Sequence, residues 1–238
     1  MRRRIFGLFL IGTLATASQA VPAIAAQKKA TGNPGGGAVV ITASRQDESP
    51  PLTSITPVPD GKSRAHAARK RHGQFADMAE TPQDQANPAP VGASTAPSTA
   101  TSWEGIHNIN GVLPPDTNGD VGPNNYVQWV NLSYQVWNKT GTSIYGPVNG
   151  ATLWSGFGGL CQTTNDGDPV VLYDKLANRW FLSQFAFNTD SAGNPVAPFH
   201  QCIAVSTTGD PTGSFWRYDY NVGSLMNDYP KFGVWPDG

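Results

Sequence analysis

Tyr126-Val127-Gln128-Trp129-Val130, Ser133 to Trp137 and Ser143 to Tyr145 follow one another within a short span, with Asn138-Lys139-Thr140-Gly141 between the last two. The first two are rich in β-branched and aromatic residues, which suit a pleated, half-buried surface, and the Asn- and Gly-containing segment is a polar turn. Together they read as an antiparallel meander. A second series comes next with Pro169 to Tyr173, Trp180 to Phe187, Gln201 to Ser206 and Ser214 to Tyr220. Its strands are separated by Asp174-Lys175-Leu176-Ala177-Asn178, a Gly- and Pro-containing loop at 190–198, and Thr208-Gly209-Asp210-Pro211. Beyond residue 100 no segment keeps a helical period, so the predicted fold class is all-β.

The two series read as diverged copies of one unit: an Asp-rich opening, an aromatic strand, a further strand, a polar turn and a last strand rich in Tyr or Trp. Asp168-Pro169 opens one copy, and Asp228-Tyr229-Pro230 opens a third, ahead of the strand Phe232-Gly233-Val234-Trp235. Four-stranded repeats at this spacing suggest antiparallel propeller-like blades, and a propeller closes with about four to eight of them. Two copies and a partial third therefore predict the N-terminal part of a larger propeller. The competing reading is a complete β-sandwich over 101–238.

Working outward, composition sets the boundaries. The 238 residues include 26 Gly and 20 Pro and are only 14% charged, which argues against a helical bundle. All seven Trp, all seven Tyr and both Cys lie after residue 100. Residues 1–25 read as a signal peptide: Arg2-Arg3-Arg4, an apolar run from Ile5 to Leu14, and cleavage after Ala23-Ile24-Ala25, with Ser18-Gln19-Ala20 as the alternative. That predicts a secreted or extracytoplasmic protein with no transmembrane anchor once the signal is removed. Residues 26–100 hold Phe75 as their only Phe, Trp or Tyr and read as a disordered Pro/Ala/Ser/Thr/Gly-rich linker or pro-region. Within it, Ala65 to Glu80 could form a short helix. Arg69-Lys70-Arg71-His72 reads as a protease site, a cell-surface contact or a solvated charge cluster. Residues 101–238 carry five Lys and Arg against eleven Asp and Glu, so nucleic acid is a poor partner for them.

The stretches Pro115 to Val127, Asn165 to Asp174 and Asp228 to Gly238 resemble a group of bacterial secreted propeller-type proteins, over nearly all of 103–238. Ser206 to Trp216, with Asp210, Gly213 and Trp216, resembles the Asp-box turn of sialidase-like propellers, with one extra residue between Asp and Gly. The resemblance implies a propeller fold and brings no reaction. A sialidase would present several arginines to its substrate carboxylate, and this region has only Arg179 and Arg217.

Candidate chemistry is sparse. Cys161 and Cys202 are expected to form a disulfide in an exported chain, the alternatives being buried thiols or a reactive cysteine. Asp116, Asn118 and Asp120 place oxygens at alternate positions, as a Ca2+ loop opens, but the following glycine and the acidic twelfth position are missing, and an Asx-rich turn is the competing reading. Asp166, Asp168 and Asp228 fall near the openings of successive units, where they could face a channel mouth as a cation site or an acid and base pair on a glycoside, or simply make turns. Trp103, Trp154 and Phe157, on loops, are candidate sugar-stacking rings. These features predict a surface-interaction module for glycans or cell-surface components. The alternatives are a glycan-active hydrolase with channel-mouth carboxylates and a purely structural scaffold.

Overall fold

The computed structural model describes residues 40–59 and 101–236. The described residues all fall within one unit of the chain, residues 32–238. The signal peptide, the short helix at Ala65 to Glu80 and the basic run Arg69 to His72 lie outside the described residues.

Among the described residues, nine strands form two antiparallel sheets. The first sheet is a meander of β2 (Asn118–Val121), β3 (Asn125–Val130), β4 (Ser133–Asn138) and β5 (Ser143–Asn149) in that order. The second runs β1 (Arg45–Glu48), β9 (Phe215–Gly223), β8 (Pro195–Ser206), β7 (Arg179–Thr189) and β6 (Val170–Asp174). The first series, read from the sequence as three strands, is led by a fourth, β2, and the second series, a four-stranded meander as expected, carries β1 as one strand more.

The turns close for local reasons. Asn138 Oδ1 accepts from the Thr140 and Thr142 amides at 3.0 and 2.9 Å, and Asp174 Oδ1 accepts from those of Leu176 and Ala177 at 2.8 and 2.9 Å. In the Asp-box-like segment Asp210 Oδ1 accepts from the Thr212 amide and hydroxyl, both at 2.8 Å. Each Asx side chain takes up amides that the turn would otherwise leave unpaired.

Register decides which residues meet. Val127 pairs with Val136 and Trp129 with Tyr134 on one face of the first sheet. Val171, Leu182 and Ala204 line up across one face of the second. These faces pack on each other in the main core, together with Tyr173, Trp180, Phe215, Leu153, Trp154 and Phe157. The first strands of the two meanders lie side by side and point the same way. Asn118 Oδ1 accepts from the Val171 amide and Asp120 Oδ2 from the Tyr173 amide, each at 2.8 Å. At Gly122 a Cβ would press into the Trp180 ring, so the chain passes close to the second sheet only without one.

Cys161, in the short helix α1 (Gly159–Thr163), is disulfide-bonded to Cys202 on β8, with Cα atoms 5.7 Å apart. The bond ties the segment after the first sheet to the middle of the second.

Two expectations need correction. Residues 26–100 are not linker throughout: residues 44–58 form a strap along the second sheet, with β1 paired to β9, Leu52 fully buried and Ile55 nearly so. The composition of this strap is polar because backbone pairing to an open sheet edge, and not apolar burial, holds most of it. Phe232 to Trp235, expected as a strand, has no strand geometry. No described segment offers it a backbone partner, and a lone extended segment does not make a sheet.

Candidate functional site

The parallel alignment of β2 and β6 brings their starts to one end of the molecule, and with them Asp116 and Asp168. Both residues have left-handed backbone (φ 44° and 47°), a region Asp tolerates better than most residues. Their carboxyl groups are hydrogen-bonded to each other. Asp228, from the segment after β9, bonds to Asp168 in turn, and the Tyr229 amide donates to Asp168 Oδ2 at 3.0 Å. Asn131, at the β3–β4 turn, completes the group, its Nδ2 donating to Asp116 Oδ2 at 3.2 Å and to the Pro114 carbonyl at 2.8 Å. At Gly167, beside Asp168, a Cβ would overlap Asn131 Oδ1, so the close approach of the two loops depends on that glycine.

Burial raises the pKa of Asp168 to about 7, and the neighbouring Asp116 charge and Asp228 add to the rise, against the Tyr229 amide. Asp116 is raised mainly by burial, with Asp228 adding and the bond to Asp168 and the Lys231 charge opposing. Two carboxyls in contact do not ionise together without cost, so the pair holds one proton near neutrality.

The structure thus regroups the predicted acids. Asp168 and Asp228 do converge, but with Asp116 in place of Asp166. Asp166 accepts from the Phe187 amide at 2.9 Å, and burial raises its pKa to about 6 against hydrogen bonds from Thr164 and Phe187. Of the two readings of Asp116, Asn118 and Asp120, the Ca2+ loop finds no converging oxygens: Asn118 and Asp120 accept from β6 amides, and Asp116 turns to Asp168. Among the described residues no group of three or more His, Cys, Asp or Glu is placed to hold a metal ion.

The proposed sugar-stacking rings also move. Trp154 and Phe157 are buried in the main core and offer no face to a ligand, because their loop packs under the sheets. Trp103 is half-buried, edge-on to Tyr126 with ring centroids 6.2 Å apart.

At the opposite end, where β6 and β8 finish, an open cleft of about 530 Å³ spans the two sheets. Asn124, Asn178, Thr208, Asp210 and Thr212 line it, with Ile144 on the first sheet's side. Asn178 Oδ1 accepts from the Tyr173 hydroxyl at 2.6 Å, which fixes the amide at the cleft wall.

Two side-chain pairs, each with at least one buried member, have no signal in the sequence. His200 Nδ1 lies 2.5 Å from Asp219 Oδ1, and Arg217 makes a two-pronged bond to Asp47. Each joins residues on neighbouring strands, which only the register reveals.

Comparison with known protein families, curated proteins and solved structures finds no match.

Proposed function

We propose that this chain is an extracytoplasmic binding module built of propeller-type blades, and that its ligand is a neutral, hydroxyl-rich molecule such as a glycan. The blade reading is supported by the second sheet's far face. Register places Leu172, Phe181, Val205 and Trp216 in one row there, and Ile203 and Tyr218 in the next. The outer face of a two-sheet sandwich is ordinarily polar, whereas a blade is apolar on both faces because it packs between neighbours. Phe232 already rests on Phe181, with ring centroids 4.8 Å apart, and Trp216 is left 39% exposed. The disulfide fits an oxidising compartment, and among the described residues no helix is long and apolar enough to cross a membrane.

The cleft between the sheets carries the ligand class. Its size falls within the usual range of small-molecule sites, and it is lined by amides and hydroxyls with one carboxylate and no cation. Such groups exchange hydrogen bonds with sugar hydroxyls. The hydrolase alternative would need two carboxyls flanking a sugar, whereas Asp116, Asp168 and Asp228 interact with one another.

The test is a glycan screen of the full chain with Asn178→Ala and Asp210→Ala beside the wild type, run together with chromogenic glycosides. Retention of a glycan that falls at least tenfold in both variants supports the reading. Absence of retention, or retention indifferent to both substitutions, overturns the cleft as its site. Turnover abolished by Asp168→Asn would replace binding with hydrolysis.

A further inference from the structure

Aspartyl–prolyl bonds are chemically labile. The side-chain carboxyl can attack its own residue's carbonyl through a five-membered ring, and the prolyl nitrogen, a tertiary amide without an N–H, leaves once it is protonated. The sequence holds two such bonds in matching frames, Gly167-Asp168-Pro169 and Gly209-Asp210-Pro211. The structure sets them apart. Asp210 is exposed in an ordinary turn, where its Oδ1 is engaged by the Thr212 amide and hydroxyl, both at 2.8 Å. Asp168 is half-buried, has left-handed backbone at φ 47°, and has its carboxyl bonded to those of Asp116 and Asp228. Pro169 behind it is buried.

The surroundings hold this bond on both sides. The Phe185 amide donates to the Gly167 carbonyl at 3.3 Å, and Val170 pairs with Ser183 across β6 and β7. The Tyr229 amide fixes Asp168 Oδ2 at 3.0 Å, and Asn131 Nδ2 fixes Asp116 Oδ2 at 3.2 Å, so the proton that the two carboxyls share is kept at one place. Asn131 is 2% exposed, and its Oδ1, buried without a hydrogen-bond partner, lies against Gly167. That oxygen is an acceptor for a water entering beside Asp168. Left-handed backbone is unfavourable for a residue with a Cβ, and breaking the bond that follows Asp168 relieves it.

We propose that Asp168–Pro169 is a self-cleavage site, with Asp168 as the nucleophile and Asp116 as the proton donor. A carboxylate oxygen of Asp168 attacks the carbonyl carbon of its own residue, and the C–N bond to Pro169 breaks as its nitrogen takes the proton from Asp116, leaving a secondary amine. Water then opens the cyclic anhydride on Asp168 to two carboxyls, and one proton returns to Asp116. The reaction consumes one water and needs no other reagent. Residues 1–168 and 169–238 remain joined, because Cys161 lies before the cut and Cys202 after it, and the Asn118 and Asp120 bonds to β6 also span it. The product is a two-chain, disulfide-linked form whose new ends lie at the opposite end of the molecule from the cleft. This inference is independent of the glycan reading.

The groups that face the Asp168 carboxyl are Asp116 from the loop before β2 and Asp228 from the segment after β9, with Lys231 of that segment acting on Asp116. Cleavage needs one proton in the group, so it should be fastest from about pH 5 to 7 and slow above about pH 8, where that proton is lost. The purified full chain is incubated across this range and followed by mass spectrometry and by gels with and without reductant. Two fragments under reduction, one band without it, and a new N-terminus beginning Pro169-Val170-Val171 are expected, with Asp210–Pro211 intact. Pro169→Ala, which restores an ordinary amide, and Asp116→Asn, which keeps a hydrogen-bonding side chain without an acidic proton, should each slow the cut at least tenfold, and Asp116→Asn should also flatten its pH profile. A chain that stays whole over the range overturns the proposal. So does scission of Asp210–Pro211 at the same rate, or equal scission in concentrated urea, since either is the generic lability of the dipeptide. An unchanged rate and pH profile in Asp116→Asn overturns it as well; where that variant does not fold, the comparison of the two bonds within the wild-type chain decides.

Discussion

Replacing Asp47 with Ala removes one side chain from a four-residue strand whose composition reads as linker. Its effect is set by the environment of Arg217. That guanidinium is 2% exposed, while the Asp47 side chain keeps 36% of its surface. Breaking a fully buried pair by removing one partner costs about 3–5 kcal/mol, whereas exposed pairs contribute about 1 kcal/mol or less. Partial exposure of the carboxylate moves the expectation down from the buried limit. The Leu153 and Ser155 carbonyls and the Phe157 ring, 5.2 Å from the guanidinium carbon, still support the charge. The expected loss is therefore about 2–3 kcal/mol, or about 4–12 °C in Tm for a unit of this size. The assay is urea denaturation of the full chain monitored by tryptophan fluorescence, for Asp47→Ala, Arg217→Met and the double variant. Arg217→Met should lose less than Asp47→Ala, because the charge it leaves unpaired is the part-exposed Asp47 carboxylate and not a buried guanidinium, and the double variant should recover part of the loss. A loss below about 0.5 kcal/mol for Asp47→Ala, with additive effects in the double variant, would refute the argument that the strap carries the counter-ion of a buried charge.

Two further outcomes are expected. Reduction of Cys161–Cys202, or its replacement by paired serines, should lower stability by about 4 kcal/mol on the loop-entropy argument for a separation of 41 residues, seen as an earlier urea midpoint; an unchanged midpoint would mean that the bond adds nothing to the packing around it. Asp168 has a folded pKa raised from 3.8 to about 7, so the folded state binds the additional proton between those values. The stability this gives is complete below about pH 4 and is lost as pH rises through 7, so Asp168→Asn should be more stable than wild type at pH 8 and lose that advantage at pH 4. Denaturation midpoints at the two pH values check it, and an equal difference at both would remove the raised pKa from the account.

The meanders are legible in the sequence because their evidence is local. Alternation along Tyr126–Val130, the Asx residues of the 138–141 and 174–178 turns, and the aromatic content of Trp180–Phe187 each act within a few residues of themselves. β1 is not legible: Arg45-Gln46-Asp47-Glu48 has no apolar alternation, and its strand state is conferred by the unpaired edge of β9. Trp154 and Phe157 read as surface rings because they lie in a loop, yet this loop turns inward under the sheets. The acidic residues stand out individually, but their grouping does not. Asp116 and Asp168 are fifty-two residues apart in the chain and meet only because β2 and β6 run parallel at the seam, a relation that no spacing rule encodes. The Asp120 carboxylate, which resembles part of a cation loop, serves the backbone amide of Tyr173 for the same reason.

The seam between β2 and β6 also works as a gauge. Asn118 and Asp120 are two residues apart and accept from amides two residues apart, so the sheets are aligned by a comb with two teeth. Sliding one sheet by a single residue would present each carbonyl or carboxylate oxygen to a position whose amide points the other way, and both bonds would be lost at once. The cleft at one end and the carboxyl group at the other are therefore both set by one alignment of the two sheets.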